Sequence, residues 1–281
     1  MLISEVITKI KKYHLGLVNG VAIDEAKTRD KILYGNATQE CTGIVTTCYA
    51  SSDVIREAYK RGANLVIVHE ALFWNHGDHQ EWLSDNKVFK AKKKLLDDTN
   101  IVVWRDHDYI HSGIPLSDGT YVDGIFYGLM KVLNWEEHLI GSISKPMTFK
   151  FDNKTASDIA NELIVKTNLN GIRITGDPNT VVKKLRIISH VIGQGDNDMI
   201  KLIEEEDIDA VITLEITDYT VSEYIRDSAM LNRPRVAINM GHFNTEEPGM
   251  QYMLEYLPKV VKDIPISYVQ SGDAYNFIVK K

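Results

Sequence analysis

The sequence predicts an α/β protein with largely parallel sheets, and three observations carry that prediction. Short apolar runs alternate with helix-length amphipathic stretches along most of the 281 residues, the rhythm of successive βαβ units. Two of these stretches resemble each other. In one, Gly43–Tyr49 precedes a helical Val54–Ile55–Ala58 segment and the run Ala63–Val68, which ends in His69–Glu70. In the other, Ala210–Glu215 precedes helical Tyr219–Ile225–Ala229 and the run Val236–Asn239, which ends in Gly241–Glu246 with His242 near its start. A βαβ unit delivers both strand ends to one edge of a parallel sheet, where α/β proteins bind ligands. The two histidine–carboxylate clusters are therefore read as one metal site. Finally, 44% hydrophobic and 25% charged residues suit an ordinary globular protein able to bury a sizeable core.

The remaining elements follow in order. An amphipathic helix is expected over Ile3–Lys12, with Ser4 and Glu5 near its start and Ile3, Val6, Ile7 and Ile10 on one face. Polar, glycine-bearing Asp24–Gln39 reads as loop. So does Phe73–Asp85, whose His, Asp, Asn and Trp content suits a surface loop near a site. A helix over Lys87–Asp98 leads to the strand Ile101–Trp104, which runs into the densest polar cluster of the chain, Arg105–His111. Lys90, Lys92, Lys93 and Lys94 are expected on the wet face of that helix, because long cationic side chains favour water. Gly124–Leu133 reads as helix, and the middle section as strand Met147–Phe151, helix Ala156–Thr167 and strand Gly171–Thr175. After the turn signal Gly176–Asn179 come a strand over Leu185–His190 and a helix over Asn197–Glu206. No low-complexity tract or flexible linker marks a domain boundary.

Several classes of function are disfavoured. A net charge of −7 gives no global attraction for nucleic acid. Two cysteines, Cys41 and Cys48, make no disulfide framework. The opening Met1–Val6 lacks the features of a secretory signal, and no run approaches the ~20 apolar residues of a membrane span. A cytoplasmic protein without a membrane partner is the expectation. There is no Gly-x-Ser-x-Gly elbow, and neither cysteine has an evident histidine partner, which argues against covalent catalysis.

Three constellations can carry chemistry. His69–Glu70 leaves the apolar run Leu65–Val68, typical of a strand buried on both faces; it is either a locally hydrogen-bonded histidine or part of a metal site. Imidazole beside carboxylate suits Zn, Mn, Fe or Ni better than Ca or Mg. His107 and His111 share one helical face or one tight loop, with Asp106 and Asp108 as ligands, as acceptors fixing the imidazoles, or as merely solvated groups. Gly241–Glu246 is either an ordinary capped helix start or a turn that brings His242 and Glu246, four residues apart, to one cation. Gly193–Gln194–Gly195 resembles half a phosphate loop but lacks the rest of either nucleotide fingerprint and reads as a structural turn. His190, at the end of the preceding strand, reads as a packed or rim histidine.

On these residues the chain resembles the Nif-three-like (NGG-interacting-factor-three-like) dinuclear metal proteins, also labelled GTP cyclohydrolase one type two homologues. The likeness spans nearly the whole chain: Gly43–Val45, Gly62–His69, the His107/His111 segment, Ile174–Asp177, Gly193–Gly195, Ile212–Glu215 and, most specific, Gly241–Glu246. It implies two divalent transition-metal ions (Zn, Fe, Mn or Ni) held by His69, Glu70, His111, His242 and Glu246. Two departures stand out. The family's second histidine is here Glu70, and its usual middle-loop aspartate falls on His111, an exchange that would conserve ligand count and charge. The resemblance further implies two similar α/β lobes with mixed, largely parallel sheets, 1–128 plus 248–281 and 129–247, and a metal site in the cleft between them. A C-terminal strand over Ile266–Val279 would return to the first lobe, and the assembly would be a toroidal homohexamer.

The leading functional expectation is a metal-dependent hydrolase of a small phosphorylated, nucleotide-like or heterocyclic substrate. Glu215 would be a general base or an acceptor behind a ligand, and His107 or Asp106 would orient a ligand or move a proton. No guanine-specific pocket is legible, so the cyclohydrolase activity is a family label only. The rival is a non-enzymatic metal-binding oligomer that stores, senses or scaffolds. A nucleic-acid-binding ring is a third class, disfavoured by the acidic balance.

Overall fold

The computed structural model describes residues 1–188 and 190–279; residue 189, inside the expected strand Leu185–His190, lies outside the described residues. The chain is an α/β protein with two mixed five-stranded sheets. Its first elements are α1 (Ile3–Tyr13), the hairpin β1 (Leu17–Val18) and β2 (Val21–Ala22), β3 (Ile32–Tyr34), β4 (Ile44–Thr46), α2 (Ser52–Lys60), β5 (Leu65–Val68), α3 (Lys87–Thr99) and β6 (Val102–Arg105). Next come α4 (Asp108–Ser112), the short pair β7 (Ile114–Pro115) and β8 (Tyr121–Val122), and α5 (Gly124–Leu133). The chain continues with β9 (Thr148–Thr155), α6 (Ala156–Thr167), β10 (Arg173–Thr175), β11 (Val181–Ile188), α7 (Asp196–Glu205), β12 (Ala210–Thr213), α8 (Val221–Met230), β13 (Val236–Asn239), α9 (His242–Val260) and β14 (Ile266–Tyr268). By contacts it divides into Met1–Gly128 with Glu246–Ser271, and Leu129–Thr245 with the residues from Gly272 onward.

The first unit is built on the order β14-β4-β5-β6-β3, parallel throughout except for β3. Every residue of β4, β5 and β6 is buried, as a parallel strand covered on both faces requires. Val54, Ile55 and Ala58 of α2 and Leu96 of α3 pack with Val45, Val66, Val68 and Val103 in one core cluster. The side chains of Ser51 and Asn86 cap the starts of α2 and α3. In α1 the buried face is Ile3, Val6, Ile7 and Ile10, as the spacing predicts. Later in the unit Gly128 of α5 meets Gly249 of α9 so closely that a Cβ on Gly128 would lie 2.6 Å from the Gly249 Cα. Only glycine permits that approach.

Three expectations for this unit are corrected. Asp24–Gln39 is not all loop, since Ile32–Tyr34 pairs antiparallel with β6 across a register shift; its apolar run is only three residues long, partly exposed on a sheet edge and set among polar neighbours, too short to mark a strand by pattern. The strand expected over Ile266–Val279 stops at Tyr268. Gly272 then turns the chain at φ +89 and Asp273 accepts the backbone N–H groups of Asn170 and Tyr275, so the tail packs with the second unit. Lys92 is not on a wet face. It is 4% exposed, and its Nζ donates to the Leu72 carbonyl at 2.8 Å and the Tyr49 hydroxyl at 3.0 Å. The same ammonium lies 4.5, 5.6 and 5.8 Å from the ring centroids of Tyr49, Phe73 and Trp74. Position 92 stands one turn before Leu96 on the inner face of α3, so helical phase overrides the preference of its side chain.

The second unit repeats the plan: order β10-β13-β12-β11-β9, with β11, β12 and β13 parallel and both edge strands antiparallel. Val191, Ile203, Ile208, Val211, Val221, Ile225 and Ala237 form its core cluster with Ile188. Thr155 starts α6 with a reciprocal capping box to Asp158. The Gly193–Gly195 segment is a turn, stitched by the Gly193 N–H to Asp196 Oδ2 at 3.0 Å, ahead of α7. Among the described residues no helix is long and apolar enough to cross a membrane.

Candidate metal centre

In each unit the chemistry gathers at the carboxyl ends of adjacent parallel strands. In the first, β5 delivers His69–Glu70 and neighbouring β6 delivers Asp106–His107. The ladder continues past both strands: Asp106 N–H donates to the Val68 carbonyl at 2.8 Å, and His69 and Glu70 N–H both donate to the Cys48 carbonyl at 3.0 Å. Two overlapping donor groups result, His69–His107–His111 and His69–Glu70–Glu246, with the ligand atoms of each group within 4.8 Å of one another. The His69 and His107 rings stack at 4.5 Å, and His111 stands edge-on to both, at 5.0 and 5.2 Å. His69 Nε2 lies 3.7 Å from Glu246 Oε2.

The imidazoles are held in one tautomer by what they touch. A carbonyl only accepts, so the 3.0 Å contact between His69 Nδ1 and the Asp106 carbonyl is an Nδ1–H donation that leaves the lone pair on Nε2. His107 Nδ1 donates to Asp108 Oδ1 at 2.9 Å, and His111 Nδ1 to Asp123 at 3.0 Å. Asp123 also caps α5 through the N–H groups of Ile125 and Phe126 at 3.1 and 3.3 Å, so one carboxylate ties a helix start to a candidate ligand. Asp108, hydrogen-bonded by His107 and then by Arg29 N–H and Thr28, is held well below the usual carboxylate range despite its burial. Buried Asp30 receives the N–H groups of His107, Asp108 and Tyr109 at 2.9, 2.8 and 3.4 Å and so seats α4. The side chain of Asp106 is not among the donors. It lies 3.7 Å from His14, and burial together with Asp30 pushes its carboxyl well up; burial likewise lowers His14 to about 3.

In the second unit the ends of β11, β12 and β13 supply His190, Glu215 and His242 in turn. These three form a further donor group within 4.8 Å. Glu215 stands between the imidazoles, taking His190 Nδ1 on Oε2 at 2.6 Å and His242 Nδ1 on Oε1. Burial works to raise the Glu215 carboxyl, but the bonds from His242 and His190 outweigh it and lower it. Beside them opens a cavity of about 470 Å³, lined also by Arg173, Asn239, Phe243 and Tyr275.

Of the residues singled out from sequence, His69, Glu70, His111 and Glu246 thus meet in the first unit, joined by His107, expected to orient a ligand or move a proton. His242 and Glu215 meet in the second. His190, read as a packed or rim residue, is exposed and belongs to that candidate donor group, brought beside Glu215 by the pairing of β11 with β12. Asp30 and Asp123 were missed. Each is a lone acidic residue far along the chain from the histidine it serves, without a spacing signal.

Residues 19–272 match the Duf34/NIF3 (NGG1p interacting factor 3) family. The chain belongs to that family. Among NIF3 relatives, a "GTP cyclohydrolase 1 type 2 homolog" of Clostridium acetobutylicum is 22% identical over 262 residues, 88% of this chain and 89% of that protein. A Staphylococcus aureus hypothetical protein has a similar structure, with TM-score 0.67 and 17% identity over 99% of each chain. So does a Bacillus cereus protein related to NIF3, with TM-score 0.68 and 13% identity over 99% of each chain. At such identities the structural likeness speaks for the NIF3 fold alone.

Proposed function

We propose that this NIF3-family protein is a metal-dependent hydrolase of a small phosphorylated, nucleotide-like or heterocyclic molecule. The observation that carries the reading is the His190–Glu215–His242 group, whose Glu215 and His242 line a cavity of about 470 Å³, a volume suited to a small organic ligand. The donor chemistry fits divalent Zn, Mn, Fe or Ni, because each group mixes neutral imidazole with carboxylate. His69, Glu70, His107, His111 and Glu246 would hold metal in the first unit, and His190, Glu215 and His242 would do so in the second. Bound metal supplies a Lewis acid that makes water nucleophilic near neutral pH and polarises the bond to be broken.

The chain's own residues do the rest. The Asp106 carbonyl, Asp108 and Asp123 hold the Nδ1–H of His69, His107 and His111 and so aim each Nε2 at the donor group. Glu215, kept ionised by two imidazoles, is placed to hold His242 or to accept a proton from water at the cavity rim. The name of the clostridial relatives makes ring-opening hydrolysis of a purine nucleotide one candidate within this class.

The test is metal content by inductively coupled plasma mass spectrometry on untagged protein, with His69→Ala and His242→Ala beside it, followed by a hydrolase screen of the loaded protein. About two equivalents of transition metal per chain, reduced in each folded variant, together with turnover of a phosphorylated or heterocyclic substrate, are expected. Wild-type protein that takes up none of Zn, Mn, Fe or Ni would end the reading.

A further inference from the structure

Arg173 opens β10 at the sheet edge, directly opposite Asn239 of β13, and lines the same cavity as Glu215 and His242. Its Nη2 donates to the Ile216 carbonyl at 3.1 Å and to Asn239 Oδ1 at 3.4 Å. Asn239 is itself locked, since its Nδ2 donates to the Thr213 carbonyl and hydroxyl and to the Leu214 carbonyl at 3.1, 3.0 and 3.0 Å. The guanidinium is thus held from one corner by groups that carry no charge. Among the described residues no carboxylate pairs with Arg173, in contrast to Arg186 and Arg235, which both have acidic partners. An oriented cation with no paired carboxylate in a small-molecule cavity is suited to read an anionic group, because the planar fork meets carboxylate or phosphate with two donors at once.

Aromatic surface adjoins it. Phe243 and Tyr275 line the cavity, and the Tyr275 ring passes within 3.9 Å of where a Cβ on Gly241 would stand. Tyr275 is 64% exposed. It is nevertheless tethered, since its N–H donates to Asp273 Oδ1 at 3.0 Å and its carbonyl accepts Asn170 Nδ2 at 2.9 Å. The geometry points to a substrate subsite in which Arg173 binds a phosphate or carboxylate of a ring-bearing small molecule, with Phe243 and Tyr275 against its ring and the bond to be cleaved toward Glu215 and His242. This subsite rests on the hydrolase reading for its purpose, but its anion recognition can be measured separately.

The test uses three probes: phenyl phosphate, benzoate and uncharged phenol. Each is titrated calorimetrically into wild type, Arg173→Met and Arg173→Lys, with and without chelator treatment, and metal content is measured on every sample. Wild type is expected to bind at least one of the two anions, with phenol much weaker, and the preferred anion tells phosphate from carboxylate. Arg173→Met should weaken that anion tenfold or more at unchanged metal content, and Arg173→Lys should lose less. Equal anion affinity in wild type and Arg173→Met overturns the proposal while leaving the hydrolase reading intact, as does wild type that binds neither anion. Arg173-dependent anion binding by protein that takes up no metal would uphold the subsite and sink the hydrolase reading instead.

Discussion

Replacing Lys92 by methionine should flatten the pH dependence of stability above neutrality. Lys92 Nζ is enclosed by the Tyr49, Phe73 and Trp74 rings and by the Leu72 carbonyl. Burial there lowers its pKa from 10.5 to about 7. In the unfolded chain the amine titrates near its ordinary value, so between about pH 7 and 10 the unfolded state holds a proton that the folded state has released. Unfolding then takes up a proton, and stability rises with pH by as much as ~1.4 kcal/mol per unit. Below about pH 7 both states are charged and the contribution is level. From pH 7.5 to 9.0 the wild type should therefore gain about 2 kcal/mol more than Lys92→Met. Methionine keeps the length and apolar stem without the charge; the Leu72 carbonyl retains Tyr49 Oη at 3.5 Å as its neighbour. Urea unfolding of both proteins at the two pH values, in chelator so that metal affinity does not enter, reads the difference directly. Parallel gains in the two proteins would show that Lys92 stays protonated in the fold, its rings and carbonyl outweighing its burial, and would refute the reasoning.

Three other outcomes are expected. Gly249→Ala would place a Cβ 2.5 Å from the Ile125 Cα and should cost roughly 1–3 kcal/mol as the α5–α9 contact is forced apart; an unchanged urea midpoint would contradict the close approach. Asp123→Asn keeps an α5 cap of similar quality but withdraws the charge behind His111, so zinc affinity by chelator competition should fall about tenfold. A matching loss of thermal stability in chelator would instead mark Asp123 as purely structural. Asp30→Asn removes a charge that receives the N–H groups of His107, Asp108 and Tyr109 and should cost roughly 1–3 kcal/mol of metal-free stability. No change in hydrogen-exchange protection at those amides would count against it.

Much of the architecture is determined locally and was legible for that reason. Leu65–Val68 and Ala210–Thr213 are continuous apolar runs of strand length, α1 shows its buried stripe in its spacing, and α5 and α6 lie within the ranges their periodicity marks. The exits of buried parallel strands are equally local, which is why His69, Glu70 and His242 could be named as candidate donors at strand ends. Tertiary structure alone decided what depends on register or on partners remote in sequence. His190 joins a candidate donor group only because β11 lies beside β12 and brings its exit to Glu215. Asp123 reaches the His111 ring 12 positions away and Asp30 the backbone N–H of His107 77 positions away, and no periodicity encodes either meeting. Lys92 shows the same limit from the other side: composition favoured water for it, but the turn of α3 and the aromatic loop after His69 bury it. The chain therefore writes its strands, helices and most of its candidate metal donors in local pattern. Packing chooses which donors meet, which tautomer they hold and which cation is left to face a ligand, because those are properties of neighbours in space.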